Sequence, residues 1–108
     1  MDINNFKKIL MNISEDDIEF DDPHFTKRCN ENSLTKEKIT YILLYENNKL
    51  SNIIEDRPRV YKLYFKLNER RQLKLIVDLF KYKKIMLRTV KILDRKLYKK
   101  VKIIKRRR

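Results

Sequence analysis

His24 is the only histidine of this chain, and it stands directly behind an Asp-Pro pair in DDPHFTKRCNEN, a stretch that also holds the only cysteine, Cys29. An imidazole is the side chain best suited to moving a proton near neutral pH. Four and seven residues on, Arg28 and Glu31 fall on the same side of a helix, so the three polar groups form one stripe. If a helix begins at Pro23, His24 lies in its first turn, where unpaired backbone N–H groups disfavour extra positive charge and push the ring towards its neutral form. The alternative is a surface histidine making a local hydrogen bond. Phe25 and Cys29 form a separate stripe at the same spacing, so burial explains the thiol without chemistry. One histidine and one cysteine on different faces of a helix fall short of a metal-ligand set, and neither a metal nor another cofactor is expected.

The elements that must position these groups follow from periodicity and punctuation. Ile3, Phe6, Ile9 and Leu10 recur at helical spacing and predict a short helix over Asp2 to Met11. The acidic run SEDDIEFDD then leads to Pro23, and proline at a first helical position with Asp22 as N-cap predicts a second helix to about Glu31. Asn30-Glu31-Asn32-Ser33 breaks it. Thr35 can cap a third helix, KEKITYILLY, whose core-facing stripe is Ile39, Ile42 and Leu43 with Tyr45 nearby. Beyond Asn48 the pattern alternates instead: residues 49–55, 59–67, 72–80 and 84–93 read as four strands. Leu73, Leu75, Val77 and Leu79 share one face. The turns at Asn68–Arg71 and Lys81–Lys83 are too short for crossovers, so the sheet is expected to be antiparallel. From Asp94 the spacing of Leu97, Val101 and Ile104 suits a basic helix, with an extended segment as the alternative. The expected fold is α+β, with N-terminal helices packed on one face of an antiparallel sheet of about four strands and the other face open. One domain should span residues 1–108: an acidic helix and linker over 1–22, a core over 23–93, and a basic segment over 94–108.

Charge separates along the chain. Residues 1–22 carry two basic and seven acidic side chains, whereas residues 57–108 carry twenty-one basic and three acidic ones. Such a basic half favours phosphate backbones through counterion release, the alternative being a solvated lysine-rich surface. Arg88, Arg95, Lys96, Lys99 and Lys100 are the leading candidates for nucleic-acid contacts. The absence of glycine excludes the Gly-rich phosphate loop, the dinucleotide fingerprint and the glycine nucleophile elbow. A single cysteine, no signal-peptide pattern and no apolar run of membrane-spanning length point to the cytoplasm and to no membrane partner.

The order H-F-x-x-R-C-x-E-N-x-L-T-K-E-K-I, then D-R-P-R-V-Y-K-L-Y-F-K, L-K-L-I-V-D and L-R-T-V resembles a family of small prokaryotic proteins related to the RelE and BrnT type ribonuclease toxins. The resemblance covers Pro23 to about Leu93. It implies a RelE-like fold and a metal-independent endoribonuclease in which the RNA's own 2′-hydroxyl attacks. His24, Arg28, Arg59, Tyr61 and Thr89 then form the catalytic set: His24 as base or acid, Arg28 and Arg59 as phosphate clamps, Tyr61 orienting a hydroxyl or stacking on a base. Arg88 or Arg95 could replace one clamp. The implied partners are RNA, free or ribosome-associated, and a small acidic antitoxin-like protein that covers the basic face. Two positions depart from the family pattern: Asn32 stands where many members have glycine, and Lys91-Ile92 where many have an aromatic residue. Asparagine can replace glycine in a left-handed conformation. The competing function classes are a nonenzymatic nucleic-acid-binding module and a protein-interaction domain docking through its acidic N-terminus.

Overall fold

The computed structural model describes residues 1–81 and 84–94. Helix α1 (Ile3–Met11) starts where the Asp2 carboxylate accepts the Asn5 N–H at 2.8 Å, and it buries Phe6 and Leu10. Helix α2 (His24–Glu31) buries Phe25 and Cys29 and leaves His24 and Arg28 exposed, as their two stripes predict. The helix begins one residue later than expected, with Pro23 in the N-cap position instead of the first turn; Asp22, one residue further out, still accepts the Thr26 N–H at 3.0 Å and the Thr26 hydroxyl at 2.7 Å. Helix α3 (Lys36–Tyr45) begins where Thr35 Oγ1 accepts the Lys38 N–H, and it buries Ile39, Ile42 and Leu43. Tyr45 departs from the expected stripe and is 71% exposed. At 3.6 residues per turn it sits more than half a turn round from Leu43.

The C-terminus of α2 shows how a chain without glycine turns a corner. Leu34 N–H reaches back to the Cys29 carbonyl at 2.8 Å and Ser33 N–H to the Asn30 carbonyl at 3.3 Å, the paired bonds of a Schellman ending. The left-handed residue is Ser33, at φ 55°, whereas Asn32 keeps φ −107°. Asn32 is thus not the left-handed residue, contrary to expectation, and its side chain is used instead, as described below.

The sheet has five strands in the order β1-β5-β4-β3-β2. Strands β2 (Leu50–Arg57), β3 (Val60–Lys66), β4 (Arg71–Lys81) and β5 (Lys84–Asp94) form the expected antiparallel meander. The β2–β3 turn runs through Pro58 and Arg59, and Arg59 takes φ 69°, the positive φ that follows proline in a type II turn. The fifth strand, β1 (Ile18–Phe20), corrects the sequence expectation in both number and direction, because it pairs parallel to β5 and makes the sheet mixed. Three residues inside SEDDIEFDD are too few to reveal a period. Even so, Ile18 and Phe20 align with Ile85 and Leu87 on the core side while Glu19 faces away.

All three helices lie on one sheet face. Phe6, Phe25, Ile39 and Leu43 pack there with Leu63, Phe65, Leu73, Leu75, Val77 and Leu87 in one continuous core. No described helix covers the opposite face, where cross-strand pairing sets Tyr64 beside Lys74 and Lys74 beside Lys91. No helix among the described residues is long and apolar enough to cross a membrane. The turn expected at Lys81–Lys83 includes two residues outside the described ones, and the basic segment beyond Asp94 lies wholly outside them.

Candidate nucleic-acid interface

Strand β5 carries the site, and a one-residue irregularity divides it. Thr89 pairs with Ile76 but Leu87 pairs with Val77, so Arg88 is an extra residue in β5. Core-facing side chains are therefore Ile85 and Leu87 before the bulge and Val90 and Ile92 after it. Arg88 and Thr89 both fall on the side away from the helices.

Before the bulge, the acidic N-terminal segment meets every described cation of β5. Glu19 lies 3.6 Å from Lys84 Nζ, and Asp21 lies 3.4 Å from Arg88 Nη1. Arg88 Nη2 donates to Asp78 Oδ2 at 2.9 Å, and Asp78 is only 8% exposed. The bond to Asp78, with Asp21 contributing, raises the Arg88 pKa above its ordinary value despite the opposing effect of burial. A half-buried arginine between two carboxylates is a fastener: it ties the chain entering α2 to the middle of the sheet. Asp78 Oδ1 and Arg88 Nε are buried without a hydrogen-bond partner among the described residues, so this pair is only partly satisfied.

After the bulge the arrangement reverses. A cleft of about 470 Å³ opens at the sheet edge, with Arg28, Glu31 and Asn32 of the α2 segment on one side and Lys74, Ile76, Thr89 and Lys91 of the sheet on the other. Asn32 sets the distance between those walls. Its side-chain amide accepts the Ile92 N–H at 3.0 Å and donates to the Val90 carbonyl at 3.5 Å, continuing the β5 edge as a strand would, and it also donates to the Arg28 carbonyl at 2.8 Å. Arg28 pairs with Glu31 at 3.1 Å on an exposed surface, which leaves its fork accessible. Among the described residues neither Lys74 nor Lys91 has an ion pair. Three cations, one carboxylate and the Thr89 hydroxyl, with the apolar Ile76 and Val90 beside them, give the cleft a net positive lining with hydrogen-bonding groups.

The residues singled out in the sequence separate into several places. Arg28 and Thr89, sixty-one positions apart, meet in the cleft. His24 is exposed on the first turn of α2, along the same stripe as Arg28, but does not line the cleft. Arg59 is exposed in the β2–β3 turn, where its carbonyl accepts the Leu79 N–H at 2.9 Å. Tyr61 faces the helices, buried edge-on against Phe6 with ring centroids 5.9 Å apart. Burial, reinforced by the negative charge of Glu55, raises its phenol pKa. Arg88 belongs to the fastener, and Arg95, Lys96, Lys99 and Lys100 lie outside the described residues. Among the described residues no group of three or more His, Cys, Asp or Glu side chains is placed to hold a metal ion.

Lys74 and Lys91 were not singled out by sequence reasoning. Alternation in LKLIV already puts Lys74 opposite Leu73 and Leu75, but only the register between β4 and β5 makes the two lysines neighbours. Compared with known proteins, the chain matches no family model, no curated protein and no solved structure. The functional reading therefore rests on this geometry.

Proposed function

We propose that the protein binds RNA through its phosphate backbone, with the cleft between α2 and β5 as the anchoring site. The observation that carries the proposal is that Lys74 and Lys91, beside Arg28 and Thr89, have no ion pair among the described residues. Lysine ammoniums without protein counterions gain most from a phosphate, whose binding also releases the cations condensed around the nucleic acid. Arg28 adds a planar fork, and Thr89 can donate to a phosphate oxygen or accept from a ribose hydroxyl. The protein then acts as a binding module.

The toxin-like endoribonuclease with a RelE-like fold is the second reading, favoured by the convergence of Arg28 and Thr89. Strand scission needs a proton carrier within hydrogen-bond reach of the reacting oxygen. His24 is outside the cleft lining, and Arg59 and Tyr61 belong to other parts of the fold. Binding thus has its groups assembled, whereas scission does not.

One experiment separates the two. Purified protein is incubated with labelled RNA in chelator, and complex formation and cleavage are followed together. Stable complexes with intact RNA are expected, weakened at least tenfold in Lys74→Ala/Lys91→Ala. Cleavage that disappears in His24→Ala and with a 2′-deoxy substrate would establish the ribonuclease instead.

A further inference from the structure

Beside the cleft, the open face of the sheet carries one aromatic ring in line with the two unpaired lysines. Cross-strand register makes a single row of Asn52, Tyr64, Lys74 and Lys91 across four strands, all on the face that no described helix covers. Neighbouring strands lie about 4.8 Å apart, which puts Tyr64 roughly 5 and 10 Å along the row from the two lysines. That is the scale on which a nucleotide's base stands off from its phosphate. Tyr64 is half-buried, and its ring makes no aromatic or cation–π contact with any other described residue. Its backbone carbonyl is engaged by Ser51 Oγ at 3.1 Å, and its strand is paired on both sides, so the ring's base is firmly held.

We infer that Tyr64 is a stacking platform for an unpaired nucleobase, and that the nucleic acid bound here is single-stranded RNA. The inference rests on the reading of the cleft as a phosphate site and extends it from charge to strand state. In a duplex both faces of every internal base are occupied by its neighbours, so a ring standing on a sheet can engage only a splayed base. Stacking of this kind tolerates every base, because each has a π face, and gives a preference for strand state without a preference for sequence. The next row runs Ile54, Lys62, Ile76 and Thr89, so Tyr64 has the apolar side chains of Ile54 and Ile76 on the adjacent row, with Lys62 between them.

A second aromatic cluster provides the control. Tyr41 and Tyr45 on α3 have ring centroids 5.2 Å apart at a tilt of 47°, with Lys38 6.0 Å over the Tyr41 ring, and both tyrosines are more than half exposed. Ile39, Ile42 and Leu43 of the same helix bury against the sheet, so that pair looks outward from the helical layer, opposite the lysine row.

Affinities are measured for a short single-stranded RNA and for the duplex of the same sequence. The parent should favour the single strand by at least tenfold. Tyr64→Ala should weaken single-strand binding by roughly 5- to 150-fold, the range for loss of one base–aromatic stack, and leave duplex binding unchanged. Tyr64→Phe should retain affinity. Tyr64→Leu, which keeps an apolar side chain without a ring, should fail as Tyr64→Ala does. A single abasic nucleotide moved through the oligomer should weaken the parent at one position and leave Tyr64→Ala indifferent. If Tyr64→Leu binds like the parent while Lys74→Ala/Lys91→Ala does not, the phosphate reading stands and the stacking inference is wrong. If Tyr41→Ala/Tyr45→Ala is the variant that loses affinity, the RNA lies on the helical layer and both fail.

Discussion

The two halves of β5 contain similar residues and do different things. From Lys84 to Arg88 each described cation has an acidic partner from β1 or β4, and the strand is flanked by β1. From Thr89 onward β1 has ended, Asn32 supplies the edge hydrogen bonds, and Lys91 with its neighbour Lys74 has no acidic partner among the described residues. The same positive charge is structural in the first half and available in the second. A balance of twenty-one basic to three acidic residues over 57–108 therefore overstates the free positive charge, since the acidic N-terminal segment neutralises part of it within the fold. Exposed ion pairs such as Glu19–Lys84 contribute little to stability, but they determine which lysines remain free for a polyanion.

The first way to break this comparison is to remove the fastener. Arg88→Met leaves the largely buried carboxylate of Asp78 without its half-exposed partner, a loss of up to about 3 kcal/mol. Chemical denaturation should show that loss, while RNA affinity at temperatures where the variant is folded should match the parent. A stable variant with lost affinity would move Arg88 from the structural half to the binding half.

A smaller effect is expected from Asn32→Ala. Two hydrogen bonds to the β5 edge disappear, a loss of about 1–2 kcal/mol, and hydrogen exchange at the Ile92 amide should quicken more than at Leu87. RNA affinity should fall modestly as the α2 wall of the cleft loosens. Unchanged exchange at Ile92 would mean that Asn32 does not hold the two walls together.

The least change is expected from Asp22→Ala, at the exposed start of α2. The ion pair with Lys36, followed by the Thr26 hydroxyl, holds the Asp22 pKa below its ordinary value of 3.8. The carboxylate is thus favoured in the folded state, and its contribution is complete above that ordinary value and lost as pH falls through the lowered one. Thermal melts should put the variant below the parent at pH 7, with the gap closing in strong acid. A gap independent of pH would show that the charge of Asp22 is not what matters.

Much of the architecture is legible in the chain because local signals agree there. Asp2 and Thr35 each cap the helix they precede, Asp22 bonds the first turn of α2 from one residue outside its N-cap, and polar residues separate β2 from β3 and β3 from β4. Strand β1 was not legible, since three residues among carboxylates gain their strand character from β5 rather than from their own pattern. The bulge leaves a trace: the apolar parity changes from Ile85 and Leu87 to Val90 and Ile92 across two successive polar residues, Arg88 and Thr89. The site was half legible. Arg28 and Thr89 are suggested by residue type, but which lysines join them depends on register and on which cations the acidic segment already holds. Tyr61 shows the limit of reasoning from residue type, because strand parity alone directs it into the core and Tyr64 away from it.

The most direct test compares two double variants that remove the same charge. Lys74→Ala/Lys91→Ala removes two unpaired lysines, and Lys62→Ala/Lys84→Ala removes two that are paired with Asp56 and Glu19 at 3.7 and 3.6 Å. Single-stranded RNA affinity is measured for each against salt concentration. Each lost phosphate contact flattens the logarithmic slope by about 0.7, so the first variant should fall short of the parent slope by roughly 1.4 and the second should match it. Equal flattening in both would contradict the account, because overall charge, and not the unpaired lysines of the cleft, would then govern binding.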